Sequence, residues 1–187
     1  MKKLAIALIS ISLLQGCAVA IIAGVGAGAA SLNDRRTLGA QVDDQSIEVK
    51  AHSLIAEDDK LDEQTRTQIV SVNGTVLIVG QAPNQQMKSK IGAIVTGIQG
   101  VRKVHNQMRI NKLSSIGTRT NDSWITTKVK TDLFSSDKVD GTAIKVVTED
   151  SEVFLMGLVK ANEANDAVEI ARHVNGVTRV YKAFQTL

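Results

Sequence analysis

The chain has 187 residues, with 22 Lys and Arg against 19 Asp and Glu, 43% hydrophobic residues, one Pro and one Cys. A mean hydropathy of +0.02 with 22% charged residues excludes a polytopic membrane protein and a highly charged disordered chain. A single cysteine excludes a disulfide framework, a Cys-based zinc cluster and a redox pair.

At the N-terminus, Met1-Lys2-Lys3 is a short basic segment, followed by the apolar run Leu4 to Leu14 and by Gln15-Gly16-Cys17. That is the layout of a secretory signal peptide with a small residue before the cut, so residues 1–16 are expected to leave. Leu14-Gln15-Gly16-Cys17 resembles the bacterial lipobox, which implies that Cys17 is acylated and becomes the first residue. Loss of Lys2 and Lys3 takes the formal charge from +3 to +1, so the sequence pI of about 9.0 belongs mostly to the leader. The alternative is an uncleaved span through the uncharged stretch Leu4 to Ala30, against which stand the helix-weakening Gly24, Gly26 and Gly28. In lipoproteins the residue after the cysteine directs sorting, and Ala18 resembles the outer-membrane class. Residues 17–41 then read as the lipidated Cys and a Gly- and Ala-rich flexible tether.

The rest of the chain is a repeat. At offsets of 76 to 78 residues, Asp44 falls on Asp122, Ile47 on Ile125, Val76 on Val153, Gly80 on Gly157, Gly100-Val101 on Gly176-Val177 and Val104 on Val180. Two homologous domains are expected, 42–110 and 121–187, joined by the polar linker 111–120. Each domain opens with a helix, striped by Ile47, Ala51 and Ile55 or by Ile125, Val129 and Leu133, with Asn121 or Asp122 as the expected cap of the second copy. A hairpin follows, Gln68 to Val72 and Thr75 to Val79 about Asn73-Gly74, or Ile144 to Val146 and Val153 to Leu155 about Glu149-Asp150-Ser151. A second helix, striped by Ile91, Ile94, Val95 and Ile98 or by Ala164, Ala167, Val168, Ala171 and Val174, is expected to stop at Gly100 or Gly176. A last strand, Arg102 to Ile110 or Thr178 to Phe184, completes αββαβ. The fold class is α+β, with two tandem units that each pack a small three-stranded sheet against two helices.

The hairpin ending in Gly80 or Gly157, and the helix leading into Gly100-Val101-x-x-Val104 or Gly176-Val177-x-x-Val180, resemble the BON domain of periplasmic proteins. With the lipobox, the tether and the segment Asn121 to Val129, the whole chain resembles the dual-BON outer-membrane lipoproteins. The resemblance implies a lipid-anchored protein of the outer membrane facing the periplasm. It also implies binding of anionic phospholipid through the second domain, a place at the division site and a role in envelope integrity.

All five aromatics, Trp124, Phe134, Phe154, Tyr181 and Phe184, lie in the second unit. At about 100° per residue, Trp124, Thr127, Thr131 and Phe134 fall on the face of the first helix opposite Ile125, Val129 and Leu133, with Lys128 and Lys130 flanking. An exposed Trp beside lysines suits an anionic bilayer interface, so Trp124, Thr127, Lys128, Lys130 and Thr131 are the candidate phospholipid-binding residues. The alternatives are Trp124 covering a domain interface and Phe134, at the helix end, folding into the core. The equivalent first-domain face, Ser46, Lys50, Ser53 and Ala56, has no aromatic. Residues 121–187 carry 8 basic against 10 acidic residues, so attraction to anionic lipid must be local.

No catalytic constellation is expected. His52, His105 and His173 have no metal-ligand spacing, no Ser sits in a GxSxG elbow, and Glu57-Asp58-Asp59 reads as a solvated helix end. No cofactor, small-molecule substrate or nucleic acid is expected, since no basic stripe carries interleaved stacking groups. The competing function is a periplasmic scaffold whose same helix face meets an envelope assembly or folding factor.

Overall fold

Thr37 starts the first helix by accepting the N–H of Ala40 on its side chain, and α1 runs Leu38–Ala56. The computed structural model describes residues 35–187; the expected signal peptide 1–16, the expected lipidation site Cys17 and the expected tether up to residue 34 lie outside the described residues. The end of the expected tether 17–41 is therefore helical, because the Thr37 cap satisfies an N–H that would otherwise be orphaned. α1 buries Ile47, Ala51 and Ile55, the expected stripe, and also Asp44. The acidic stretch after it is a helix junction: Asp58 caps α2 (Asp59–Gln64) and pairs with Lys90.

β1 (Arg66–Val72) and β2 (Thr75–Ala82) form the expected hairpin, with Asn73 and Gly74 at φ 49° and 74°. Those left-handed angles match the twist of the two strands, which is why Asn-Gly marks such turns. At Gly80 a side chain is impossible, since a Cβ there would sit 2.0 Å from the carbonyl oxygen of Arg66. α3 (Gln85–Thr96) is capped by Asn84 and ends at Gly97. Gly100 is thus not the helix stop; it turns the chain at φ 94° beneath Ile47. The last strand is split into β3 (Lys103–Asn106) and β4 (Arg109–Ile110), because the chain dips between them to bury Met108.

The second domain repeats this order. α4 (Ile116–Phe134) begins five residues before the expected Asn121, inside the expected linker 111–120, with Ser115 as its cap. Asp122 is no cap either. It is buried on the inner face of α4 and accepts the N–H groups of Asp150 and Ser151 at 2.9 and 2.8 Å. After a 3₁₀ turn at Gly141–Ala143 come β5 (Ile144–Glu149), β6 (Glu152–Val159), α5 (Ala161–Arg172) and β7 (Arg179–Thr186). α5 also ends before its expected stop, at His173 rather than Gly176.

In each sheet the middle strand, β2 or β6, pairs antiparallel with its hairpin partner and parallel with the last strand. Successive residues of those middle strands face opposite ways. Val76 and Ile78 join the core beneath α1 and α3, and Val153 and Leu155 join the core beneath α4 and α5. The alternate residues, Leu77 and Val79 of one sheet with Phe154 and Met156 of the other, form a third apolar cluster. The two sheets therefore pack on each other, and each such side chain removed from water contributes about 1.5–3 kcal/mol. Phe154 stacks on Tyr181 with ring centroids 4.9 Å apart, so these two aromatics serve the domain interface.

Polar contacts rim that interface in matched pairs. Asn73 in the first hairpin turn donates to Gln185 of β7 at 2.8 Å, and Asp150 in the second turn faces Arg109 of β4 at 3.7 Å. Gln81 donates to buried Glu149 at 2.6 Å, and Arg109 pairs with Glu152 at 2.5 Å. A longer reach comes from Arg35. Its guanidinium forks onto Glu163 of α5 at 2.6 and 2.7 Å and lies 3.9 Å from Asp140. This bidentate pair holds the Glu163 carboxyl down at about 2.

Candidate functional site

α4 spans 19 residues and buries only Asp122, Ile125, Val129 and Leu133 against its own domain. The opposite face is open. Trp124 is 51% exposed and Phe134 67% exposed, so Trp124 does not fill the domain interface and Phe134 does not fold into the core. Phe134 stays out because the core position at that turn belongs to Leu133, while Gly141 packs against the Phe134 backbone. One edge of the Trp124 ring rests over Gly176.

Thr127, Lys128, Lys130 and Thr131 are all exposed beside these rings. The threonines present less polarity than their names suggest. Thr120, Thr127 and Thr131 each donate their hydroxyl to the carbonyl four residues back, on Ile116, Ser123 and Thr127, at 3.0, 2.9 and 2.9 Å. With the hydroxyl satisfied inside the helix, the methyl is free to face outward. Ile116, which is 74% exposed, extends this surface to the first turn. The result is a helix-long strip of methyl groups and rings, with Arg119 and Lys130 along one flank and Lys128 toward the other. Ile116, Thr120 and Arg119 escaped the sequence reading because they were assigned to the linker.

The first domain differs from expectation in one respect. Ser46, Lys50, Ser53 and Ala56 are exposed and carry no aromatic, but Leu38, Val42 and Val49 are exposed on the same helix. Its outward face is aliphatic without flanking aromatics.

Among the described residues, one group of three carboxylates, Asp122, Glu149 and Asp150, brings oxygens within 4.8 Å of one another. Each is already engaged. Asp122 holds the hairpin turn, Gln81 donates to Glu149 at 2.6 Å and to Asp150 at 3.3 Å, and Arg66 lies 3.7 Å from Glu149. Burial raises the Glu149 carboxyl above its ordinary value despite the Gln81 hydrogen bond. The arrangement ties two domains together rather than presenting open ligands. His52, His105 and His173 lie on α1, on β3 and at the end of α5, in separate elements as their spacing implied. No helix of the described residues is long and apolar enough to cross a membrane.

The BON domain model matches residues 43–112 and 121–187. The chain belongs to the BON-domain family. This BON protein is 39% identical over all 187 of its residues to "Outer membrane lipoprotein DolP" of Haemophilus influenzae, covering 97% of that protein. It is 38% identical over 149 residues, 80% of the chain, to the "21 kDa hemolysin" of Actinobacillus pleuropneumoniae, covering 77% of it. Identity to "Osmotically-inducible protein Y" of Escherichia coli is 26% over 152 residues, 80% of the chain and 75% of that protein. The tandem BON pair and the end-to-end homology to an outer-membrane lipoprotein agree with the repeat and the lipobox.

Proposed function

We propose that this BON protein is a non-enzymatic outer-membrane lipoprotein, anchored through acylated Cys17 and facing the periplasm, whose second domain docks on anionic phospholipid along α4. Trp124, Thr127 and Thr131 enter the headgroup boundary, and Lys128 and Lys130 lie among the phosphates. Support of envelope integrity and enrichment at the division site complete this reading. The observation that carries it is the exposure of Trp124 and Phe134 on one face of a helix whose threonine hydroxyls are internally satisfied. An indole prefers the interfacial region, and each lysine near an anionic surface contributes on the order of 1 kcal/mol.

The test is flotation of the unacylated body, residues 35–187, with vesicles of phosphatidylglycerol or cardiolipin and with phosphatidylcholine vesicles as control. Residues 35–187 form a compact unit with their own apolar clusters. Binding to the anionic vesicles at low salt, lost on Trp124→Ala, is expected. Absence of binding at low salt overturns the docking reading.

A second reading, a scaffold for an envelope assembly or folding factor with lipid only as the anchor, rests on Leu38, Val42 and Val49. An aliphatic strip on α1 suits a protein groove better than a headgroup layer.

A further inference from the structure

The matched hairpins create two matched clefts at the domain interface, each between the first helix of one domain and the first strand of the other. One is closed. Lys145 of β5 crosses it to Glu48 of α1 at 3.1 Å and to the carbonyl of Ser71 at 2.9 Å. In the repeat, Gln68 stands where Lys145 does, Thr126 where Glu48 does and Thr148 where Ser71 does. There, among the described residues, the only side-chain hydrogen bond at those positions is Thr126 to Thr148, at 2.7 Å, and Gln68 is exposed. The second cleft stays open, with a volume of about 450 Å³.

Its walls are cationic. Arg66 comes from β1 of the first domain, Arg119 and Lys130 from α4 of the second. The closed cleft has Ala143, Gln41 and His52 at the corresponding positions of the repeat. Arg66 is held by Ser114 at 3.3 Å and lies 3.7 Å from Glu149, whereas Arg119 and Lys130 face no acidic partner among the described residues. Asp122 lines the floor, but its two oxygens are taken by the N–H groups of Asp150 and Ser151. Thr67 adds a hydroxyl between the cations, and the hydroxyls of Ser123 and Thr126, which already donate to the carbonyl of Arg119 at 2.9 Å and to Thr148 at 2.7 Å, offer their oxygens as acceptors.

We infer that this interdomain cleft receives the phosphodiester of an anionic phospholipid headgroup, with Arg119 and Arg66 at its phosphate and the hydroxyls at a polyol. The inference rests on the docking reading above and extends it, because it gives the first domain a direct part in binding. Charge complementarity favours an anion. A lipid, rather than a free phosphate, is favoured by Lys130, which borders both this cleft and the apolar hollow formed by Thr127, Thr131 and Phe134. A headgroup in the cleft leaves its acyl chains a path along that hollow toward the bilayer.

The experiment titrates the mature acylated chain, in micelles of an uncharged detergent, with glycerophosphoglycerol, the deacylated headgroup. Inorganic phosphate and glycerophosphocholine run in parallel, and the amide resonances of Thr126 and Thr148 are followed. Saturable shifts with glycerophosphoglycerol are expected, at least several-fold tighter than with phosphate or the choline compound. Arg119→Gln weakens them several-fold, while Lys60→Gln, on the exposed side of α2 and away from both the cleft and the docking strip, leaves them unchanged. The pair Gln68→Lys with Thr126→Glu copies the Lys145–Glu48 closure and abolishes them with the unfolding midpoint retained. Equal affinity for inorganic phosphate overturns the lipid assignment. Shifts that survive both Arg119→Gln and the closing pair overturn the site. If vesicle flotation still depends on Trp124 while the cleft titration fails, only the cleft falls. If the cleft titrates normally while flotation fails, the docking face falls instead.

Discussion

Asp44 and Asp122 perform the same act in the two domains: each reaches inward from the first helix and accepts two backbone N–H groups of the hairpin turn. Asp44 takes those of Asn73 and Gly74 at 2.7 and 2.9 Å, and Asp122 those of Asp150 and Ser151 at 2.9 and 2.8 Å. Asp44 also accepts from Ser71 and Arg36, and although burial alone pushes its carboxyl up, these four partners hold it below the ordinary value. Removal of the carboxylate strands buried donors, at about 1–3 kcal/mol each. Asp122→Ala is therefore expected to cost about 2–4 kcal/mol in urea unfolding, and Asp122→Asn less, since one acceptor remains.

Trp124 and Ser46 occupy the same place in the repeat, which makes them a matched test of duty. Both are exposed. Trp124→Ala should lower the unfolding stability by no more than about 1 kcal/mol, the loss of one ring edge over Gly176, while weakening vesicle binding by several tenths to a few kcal/mol. Ser46→Ala should change neither. A sharp fall in the Trp124→Ala midpoint without loss of flotation would reverse the assignment.

The Arg35–Glu163 clasp predicts an acid limb in stability. Glu163 titrates at about 2 in the folded chain against an ordinary value of 4.5. A carboxyl lowered by folding stabilises above its unfolded value and loses that contribution as pH falls through the folded one. Stability should therefore drop between about pH 4.5 and 2, Asp44 adding to the fall in the same direction. Glu163→Gln should flatten the part due to the clasp and cost about 1–3 kcal/mol at pH 7. Urea unfolding across pH reads both.

Glu149 has the opposite sign. Burial raises its carboxyl, so folding favours the protonated form and the ionised group costs stability at neutral pH. Glu149→Gln keeps an acceptor for Gln81 and should leave the pH 7 midpoint unchanged or higher, whereas Glu149→Leu, which removes the shorter of the two bonds donated by the Gln81 amide, should lower it.

Cys17→Ala should block acylation and leave an uncleaved precursor, detected by intact mass and by loss of outer-membrane fractionation. Unchanged mass and fractionation would favour the alternative span Leu4 to Ala30.

Much of the fold was legible because its signals are local and doubled. Ile125, Val129 and Leu133 recur at helical spacing, Asn73-Gly74 marks a turn, and every element has a counterpart in the repeat. Helix starts were less legible. Asp122 has the chemistry of a cap, but a cap and a buried turn-clamp use the same carboxylate, and only the packed hairpin decides between them. The outward strip of α4 was readable from Trp124 through Phe134, yet Ile116 and Thr120 were hidden in a polar stretch resembling a linker. The open cleft was not readable at all. Arg66, Arg119 and Lys130 come from two domains, and their meeting depends on which faces of two sheets pack together.

The clasp at Arg35 also sets the mechanics of the leash. The 17 residues between Cys17 and Arg35 can span at most about 60 Å when fully drawn out, and the chain joins the body where Arg35 grips Glu163 beside Asp140. Asp140 adjoins Gly141, which packs on the backbone of Phe134, so the leash is fastened near the C-terminal end of α4. With Cys17 acylated as proposed above, the pull of the anchor would enter the body at this end of α4, close to the proposed docking strip. Releasing the grip by Glu163→Gln would move the fastening point toward Thr37 at the head of α1.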